Sequence, residues 1–388
     1  MDKTIKNLTI KLLTTAEELE SVREFWQKHN QHPYSDFEYF ALSSQIEKRF
    51  IQPYVFVLYQ NDEPVTLLAA ALRSSEIKWR FGYLPLFKSK VKSIDVSYRG
   101  IYGDLSEENC NLLVKALLDT LKTGKADMCF FDHLRIDSPF YKAVKRIPKW
   151  RSRDNADYEN PHWTLFLENS FEIFYKTRSK NTKSNIRKYR NRMIKNFGDD
   201  LRLEFYTKLK DIPSAVENIE TVAQKTYQRS LGAGFLNNEE TLVKWEFLAK
   251  KNRLFNAVLF IKEKPIAYWD WILYNGVAFS IATGYDPEYH YYHPGHYLLI
   301  ACIEYFCNAP NCDMIDYGFG EAQYKRMLGS EMWLESPVSI FAPNLKGLKL
   351  KLMKMLTIGT SQSIISILEK LGLLGFIKKL WRKKLSSK

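Results

Sequence analysis

The chain lacks paired cysteines, long apolar runs and, over its last forty-odd residues, acid. Its five cysteines, at 110, 129, 302, 307 and 312, are odd in number and contain no Cys-x-x-Cys. That excludes a disulfide framework or a zinc ribbon and fits a reducing compartment. No stretch approaches the ~20 apolar residues that cross a bilayer. The opening, MDKTIKNLTIKLLTTAEELE, is broken by charges and has no small-residue cleavage site. No signal peptide is therefore expected, and the protein is expected in the cytoplasm. His290, His293 and His296 have no accompanying carboxylate pattern such as His-Glu-x-x-His, and Pro294-Gly295 interrupts any shared helical face. No metal is expected there.

From Asn344 to Lys388 there are eleven Lys or Arg and one acid, Glu369, so this segment carries +10 of the formal +13. The basic balance belongs to the tail and does not by itself argue for nucleic acid. Leu348, Leu352, Met355 and Leu356 share one helical face, and Trp381 sits among Arg382, Lys383 and Lys384. That pattern suits a helix lying on an anionic membrane surface, at the inner face of the cell membrane, or helices packed on the body.

At 388 residues the chain suggests two domains, and the sequence repeats itself. YVFVLYQNDEPVTLLA (54–69) and FNAVLFIKEKPIAYWDW (255–271) each read as strand, charged turn and strand, with Pro64 and Pro265 at an offset of 201. LLVKALLDTLKTGKADM (112–128) and LLIACIEYFCNAPNCDM (298–314) align without a gap, each an amphipathic helix running into a strand. The halves fall at 1–165 and 166–343, with 344–388 as tail. In the second half the pattern predicts a basic helix around 180–195, a strand over 200–208 and a helix N-capped by Asp211. A further helix from Asn237, strands over 254–261, 266–273 and 277–283, a helix near Gly295 and a strand at Asp316 follow. The fold class is α/β (α+β): a mixed, mostly antiparallel sheet flanked by helices.

The residues that speak of chemistry lie between Val277 and Ser330. A helix starting at Pro294-Gly295 would present unpaired amides and a positive dipole end, suited to phosphate. Asp316 in the apolar strand MIDYGFG is costly unless paired or functional, with Lys325 and Arg187 as candidate partners. Glu321, Tyr324 and Lys325 are spaced to share one side of a helix, either as a Glu–Lys pair or as an acid/base cluster. Nine cations and no acid occur between Lys176 and Lys195, a solvated face or a seat for an anionic partner.

Together these motifs resemble the GNAT superfamily of acyl-CoA-dependent N-acyltransferases, in its CelD-like branch of cellulose and exopolysaccharide genes, akin to the FemABX aminoacyl transferases. The matching stretches are Ser179 to Lys188, Pro265-Ile266-Ala267, Tyr285-Asp286-Pro287, His293-Pro294-Gly295 with Leu298-Leu299, and Asp316-Tyr317-Gly318-Phe319-Gly320-Glu321 with Tyr324-Lys325. The sequence departs from the branch pattern at His293, where Ser is usual, and at Lys264, where Gly is usual.

The resemblance implies tandem GNAT-like domains, the first non-catalytic and the second catalytic. It implies acyl-CoA, or an acyl carrier protein, as donor co-substrate. The acceptor is a small-molecule or lipid-linked amine of the cell envelope, such as an amino sugar. A backbone amide near Ile281 to Thr283 would meet the acyl oxygen. Tyr285, Pro294, Gly295 and His296, with Lys183 and Arg187, would hold the donor. Asp316 or Glu321 would take the amine proton, Tyr324 would protonate the leaving thiolate, and Lys325 would stabilise charge. Two alternatives stand beside this reading: a FemX-like transferase that uses aminoacyl-tRNA on a lipid-linked peptidoglycan precursor, and a non-catalytic scaffold of an exopolysaccharide assembly. Only the former involves nucleic acid.

Overall fold

The computed structural model describes residues 8–81, 84–230 and 234–370. Its strands, in chain order, are β1 (Leu8–Leu13), β2 (Phe50–Pro53), β3 (Val55–Gln60), β4 (Glu63–Phe81), β5 (Leu84–Gly103), β6 (Met128–Arg135), β7 (Asn160–Phe166), β8 (Leu201–Tyr206), β9 (Leu254–Ile261), β10 (Lys264–Tyr274), β11 (Val277–Tyr285), β12 (Met314–Phe319) and β13 (Glu331–Phe341). They are distributed over two compact units, one of residues 8–160 and 334–370, the other of residues 161–333.

Each unit builds the same arrangement. In the first the strand order is β1-β3-β4-β5-β6-β13, and in the second β8-β9-β10-β11-β12-β7. Both are antiparallel except for one parallel pair, β5–β6 and β11–β12 respectively. The hairpin tips follow from turn chemistry. Asn61-Asp62 and Asn275-Gly276 adopt positive φ at both central positions, the conformation that matches the twist of two-residue hairpins. The helix between the parallel strands is Glu107–Lys122 in the first unit and Pro294–Asn308 in the second. Its apolar face (Leu113, Val114, Leu117 in one; Leu298, Leu299, Ile303 and Phe306 in the other) fills the core beneath the sheet.

The last strand of each sheet is exchanged. β7 follows the first half of the sequence but pairs with β12, Met314 opposite Phe166 through Phe319 opposite His162. β13 follows the second half but pairs with β6, Glu335 opposite Arg135 through Phe341 opposite Met128. The helix Leu345–Lys370 then starts on the first unit. Lys346 bonds Asp127, Leu350 is buried with Trp79, Val91 and Phe341, and Lys354 pairs with Asp154. The tail's first turns are therefore packed on the body. Residues 371–388, with Trp381 and its basic neighbours, lie outside the described residues. Among the described residues no helix is long and apolar enough to cross a membrane.

Candidate functional site

The parallel pairing of β11 with β12 is short: Val277 to Phe279 against Met314 to Asp316. Beyond it β11 stays with β10 as far as Tyr285, while β12 turns to β7. Past Phe279 and Asp316 the two strands no longer pair, leaving a wedge between them. At the mouth of the wedge β11 carries a bulge. Ala282 lies opposite Asp270 and Ser280 opposite Trp271, so Ile281 is the extra residue. A bulge takes a residue out of the regular ladder and re-aims its peptide groups. The expected amide region, Ile281 to Thr283, thus coincides with a break in the sheet.

The N-terminus of the helix Pro294–Asn308 closes one end. Pro294 sits in its first turn, needing no amide partner there. The N-cap, His293, is left-handed (φ 58°) and makes no side-chain cap, and the first turn holds no acid. A Cβ on Gly295 would meet only the Tyr285 ring, at 3.5 Å. Tyr285 is itself exposed, as a ligand contact requires. The Tyr189 ring lies 4.5 Å from His296 and 5.0 Å from His293. Burial, and then neighbouring His293, push the His296 imidazole down to about 4, so it is neutral near pH 7. Arg192 donates to the Tyr291 carbonyl at 2.7 Å.

Tyr324 stands at the other end. Half-buried, it meets Trp269 edge-on at 5.5 Å and Tyr317 at 5.7 Å. Trp269 Nε1 donates to Ser280 Oγ at 2.8 Å, which ties the Tyr324 platform to the strand just before the bulge. One face of the helix Lys180–Phe197 spans both ends. Thr182 and Asn185 approach Met327, in the helix Gln323–Leu328 that carries Tyr324, and Tyr189, one turn on from Asn185, touches the histidines of the turn.

Asp316 and Lys325 are occupied differently from the expected pairing. Asp316 is buried, and its Oδ1 contacts His162 Nε2 at 2.7 Å and accepts from the Gly318 amide at 2.8 Å. His162, delivered by the exchanged strand β7, stacks on Trp333 at 4.4 Å. Lys325 is buried and donates to the carbonyls of Gly318 (3.1 Å) and Phe319 (2.8 Å). Burial pulls its ammonium down to about 8, against the opposing pull of Asp316 and Glu321. Together Asp316 and Lys325 clamp the Gly318–Gly320 turn, whose two glycines both have positive φ. Glu321 departs from its predicted place. The glycine turn delays the helix to Gln323, so Glu321 precedes it, is exposed, and pairs with Arg326 at 3.2 Å.

The basic helix divides its cations. Arg187 is exposed and lines an open groove of about 610 Å³ with Phe171, Tyr175, Arg190, Glu304 and Asn308, beside the C-terminal half of the helix Pro294–Asn308. Lys183 is half-exposed on the same helix, next to Thr182. The arginine that reaches the turn is Arg192. Sequence reasoning also missed Asp270. It is buried opposite Ala282, accepts from Asn256 at 2.8 Å, and is pushed up to about 7 by desolvation. Its signal was an acid between two tryptophans in a strand, a costly placement. Among the described residues no three His, Cys, Asp or Glu side chains group as metal ligands.

Comparison with known proteins bears on the fold and on the type of domain. Residues 180–326 match the Acetyltransferase (GNAT) domain family. No curated protein matches the sequence. Among solved structures, FemX aligns over 89% of this chain and 100% of its own, with 9% identity and a TM-score of 0.54. A tandem GNAT protein from the clavulanic acid biosynthesis pathway aligns over 86% of this chain and 99% of its own, with 9% identity and a TM-score of 0.50. At such identities the likeness is one of fold. The fold is GNAT-like, and residues 180–326 form an acyltransferase domain of the GNAT type.

Proposed function

We propose that the second unit transfers an acyl group from a thioester, with acyl-CoA (or an acyl carrier protein) as donor, to an amine of a cell-envelope precursor such as an amino sugar, as in the CelD-like branch. The observation that carries this is the wedge between β11 and β12, with a bulge at Ile281 on one wall and an uncapped, acid-free helix N-terminus at Pro294-Gly295 beside it. Amides at the helix start suit the donor's phosphates, and Gly295 leaves space for them. The bulge amide suits the oxygen that becomes negative when the amine attacks.

In the reaction the amine nitrogen bonds to the acyl carbon and the carbon–sulfur bond breaks. The nitrogen loses one proton and the departing thiolate gains one. Tyr324, half-exposed on its Trp269 platform, donates to sulfur. Glu321, exposed on the adjoining turn, takes the amine proton through water. Asp316 and Lys325 serve by holding the Gly318–Gly320 turn on which Tyr324 depends.

A second reading, transfer from an aminoacyl-tRNA, draws on the basic helix, where Lys180, Arg187, Lys188 and Lys195 are exposed without an acid among them. Calorimetry with CoA thioesters and with charged tRNA decides between the two. Micromolar, RNase-insensitive binding of a thioester is expected. Binding of charged tRNA alone, abolished by RNase, would replace the first reading with the second. Binding of neither would sink both.

A further inference from the structure

The helix Leu345–Lys370 is mounted with its polarity reversed. The side turned to the first unit carries lysines as well as apolar groups. Lys351 is only 1% exposed, lies over the Trp150 ring at 3.8 Å and donates to the Trp150 carbonyl, while Lys354 bonds Asp154 and Ser339. Gly347 fixes the close approach, since a Cβ there would lie 2.1 Å from the Ala342 carbonyl oxygen. The opposite side presents Leu345 (87% exposed), Leu352 (42%) and Leu356 (66%), at spacings that place them on one face, with exposed Lys349 among them. Ordinary amphipathic helices do the reverse, burying leucine and exposing lysine. Burying one ion pair and a second ammonium to hold a helix with its leucines outward is costly unless the leucines meet an apolar phase.

The surroundings identify that phase. Trp150 is 59% exposed beside exposed Lys149 and Arg151. An exposed amphipathic ring among cations is a composition found at lipid headgroup interfaces. From Asn344 to Leu368 the sequence contains no acid, so a second copy docked here would bring like charges together, whereas anionic lipid would neutralise them. We infer that the outward face of residues 345–356, together with exposed Trp150, is a docking surface for an anionic lipid bilayer, on which the protein rests without spanning it. This does not depend on the transferase reading.

The test is partition of the full chain onto vesicles rich in phosphatidylglycerol and onto phosphatidylcholine vesicles, with wild type and Leu345→Glu/Leu352→Glu. Both leucines are exposed, so the variant should melt as wild type does. Wild type is expected to bind the anionic vesicles at least about tenfold more tightly than neutral ones, less so as salt rises, and the variant to lose about tenfold. Wild type remaining in the supernatant, binding both vesicles equally, or binding no better than the variant would overturn the inference. So would a wild-type dimer that the double variant makes monomeric without any vesicle binding.

Discussion

The two units share a strand order and differ at the broken strand and at the start of the helix that follows it. Both break the strand that borders the wedge at the same point of the repeat. Residues 97–100 of β5 leave the ladder between Ile101 opposite Leu68 and Val96 opposite Ala70, while in β11 a single residue, Ile281, does so. A one-residue bulge displaces a single peptide group, whereas a four-residue excursion displaces several. The helix starts differ as well. In the first unit Ser106 caps the helix by accepting from the Asn109 amide, and Glu107 and Glu108 fill the first turn. An anion approaching there meets a satisfied amide and two carboxylates. In the second unit no side chain caps and no acid intervenes. The offset that aligns Pro64 with Pro265 also sets Ala69 against Asp270, a buried methyl against a buried carboxyl. Divergence of this kind teaches that one copy has kept the scaffold while the other carries its electrostatic departures from it.

The comparison breaks most sharply if the second unit is given the first unit's acid. Gly295→Glu should abolish thioester binding in calorimetry, while Glu108→Gln, at the matching second helical position of the first unit, should leave turnover as it is. Equal effects from the two would mean that the helix starts do not distinguish the units. A smaller loss is expected at Tyr324. Tyr324→Phe should lower kcat by about 10²-fold with little change in KM, the scale of a lost general acid. Lys325→Met should add a loss of stability of about 1–3 kcal/mol, because two carbonyls lose their buried donor. A Lys325→Met protein that melts like wild type would remove the clamp.

The mildest effect concerns Asp270. Its folded carboxyl titrates near 7 and its unfolded one near 3.8, so between those values the native state holds more protons and stability falls as pH rises. Below the unfolded value no penalty exists; above about 7 it is complete. Asp270→Asn should therefore melt higher than wild type by a few degrees at pH 8 and equally at pH 4, as thermal melts would read. The matching apolar position in the first unit, Ala69, has no such pH dependence to lose.

Much of this was legible in the residues. The hairpins at Pro64 and Pro265 and the two helix–strand runs lie where the repeat put them, because turn chemistry and periodicity are local properties. Helix-start chemistry brought the turn at Pro294 to notice, and the resemblance brought the strand around Ile281. Partnership between distant strands was not legible. Nothing in NPHWTLF or EMWLESPVSIF says which sheet each will join, so His162 drew no attention before pairing set it against Asp316. Glu321 was misplaced because helical spacing was counted from it through Ala322, whose extended backbone (φ −148°, ψ 146°) leaves Glu321 outside the helix. Within the tail the sequence does not distinguish one lysine from another, and only packing separates Lys351 and Lys354 from Lys349.

The swapped edge strands also govern how the molecule is made. The first sheet receives its sixth strand only when residues 335–341 are available, so a chain leaving the ribosome must keep Phe131 and its neighbours waiting while the whole second unit is synthesised. Cutting the protein between its sequence halves strips each product of a border strand and bares a row of amides and carbonyls. The division that the sequence repeat suggests is therefore not the division along which the sheets are built, independently of any chemistry the wedge performs.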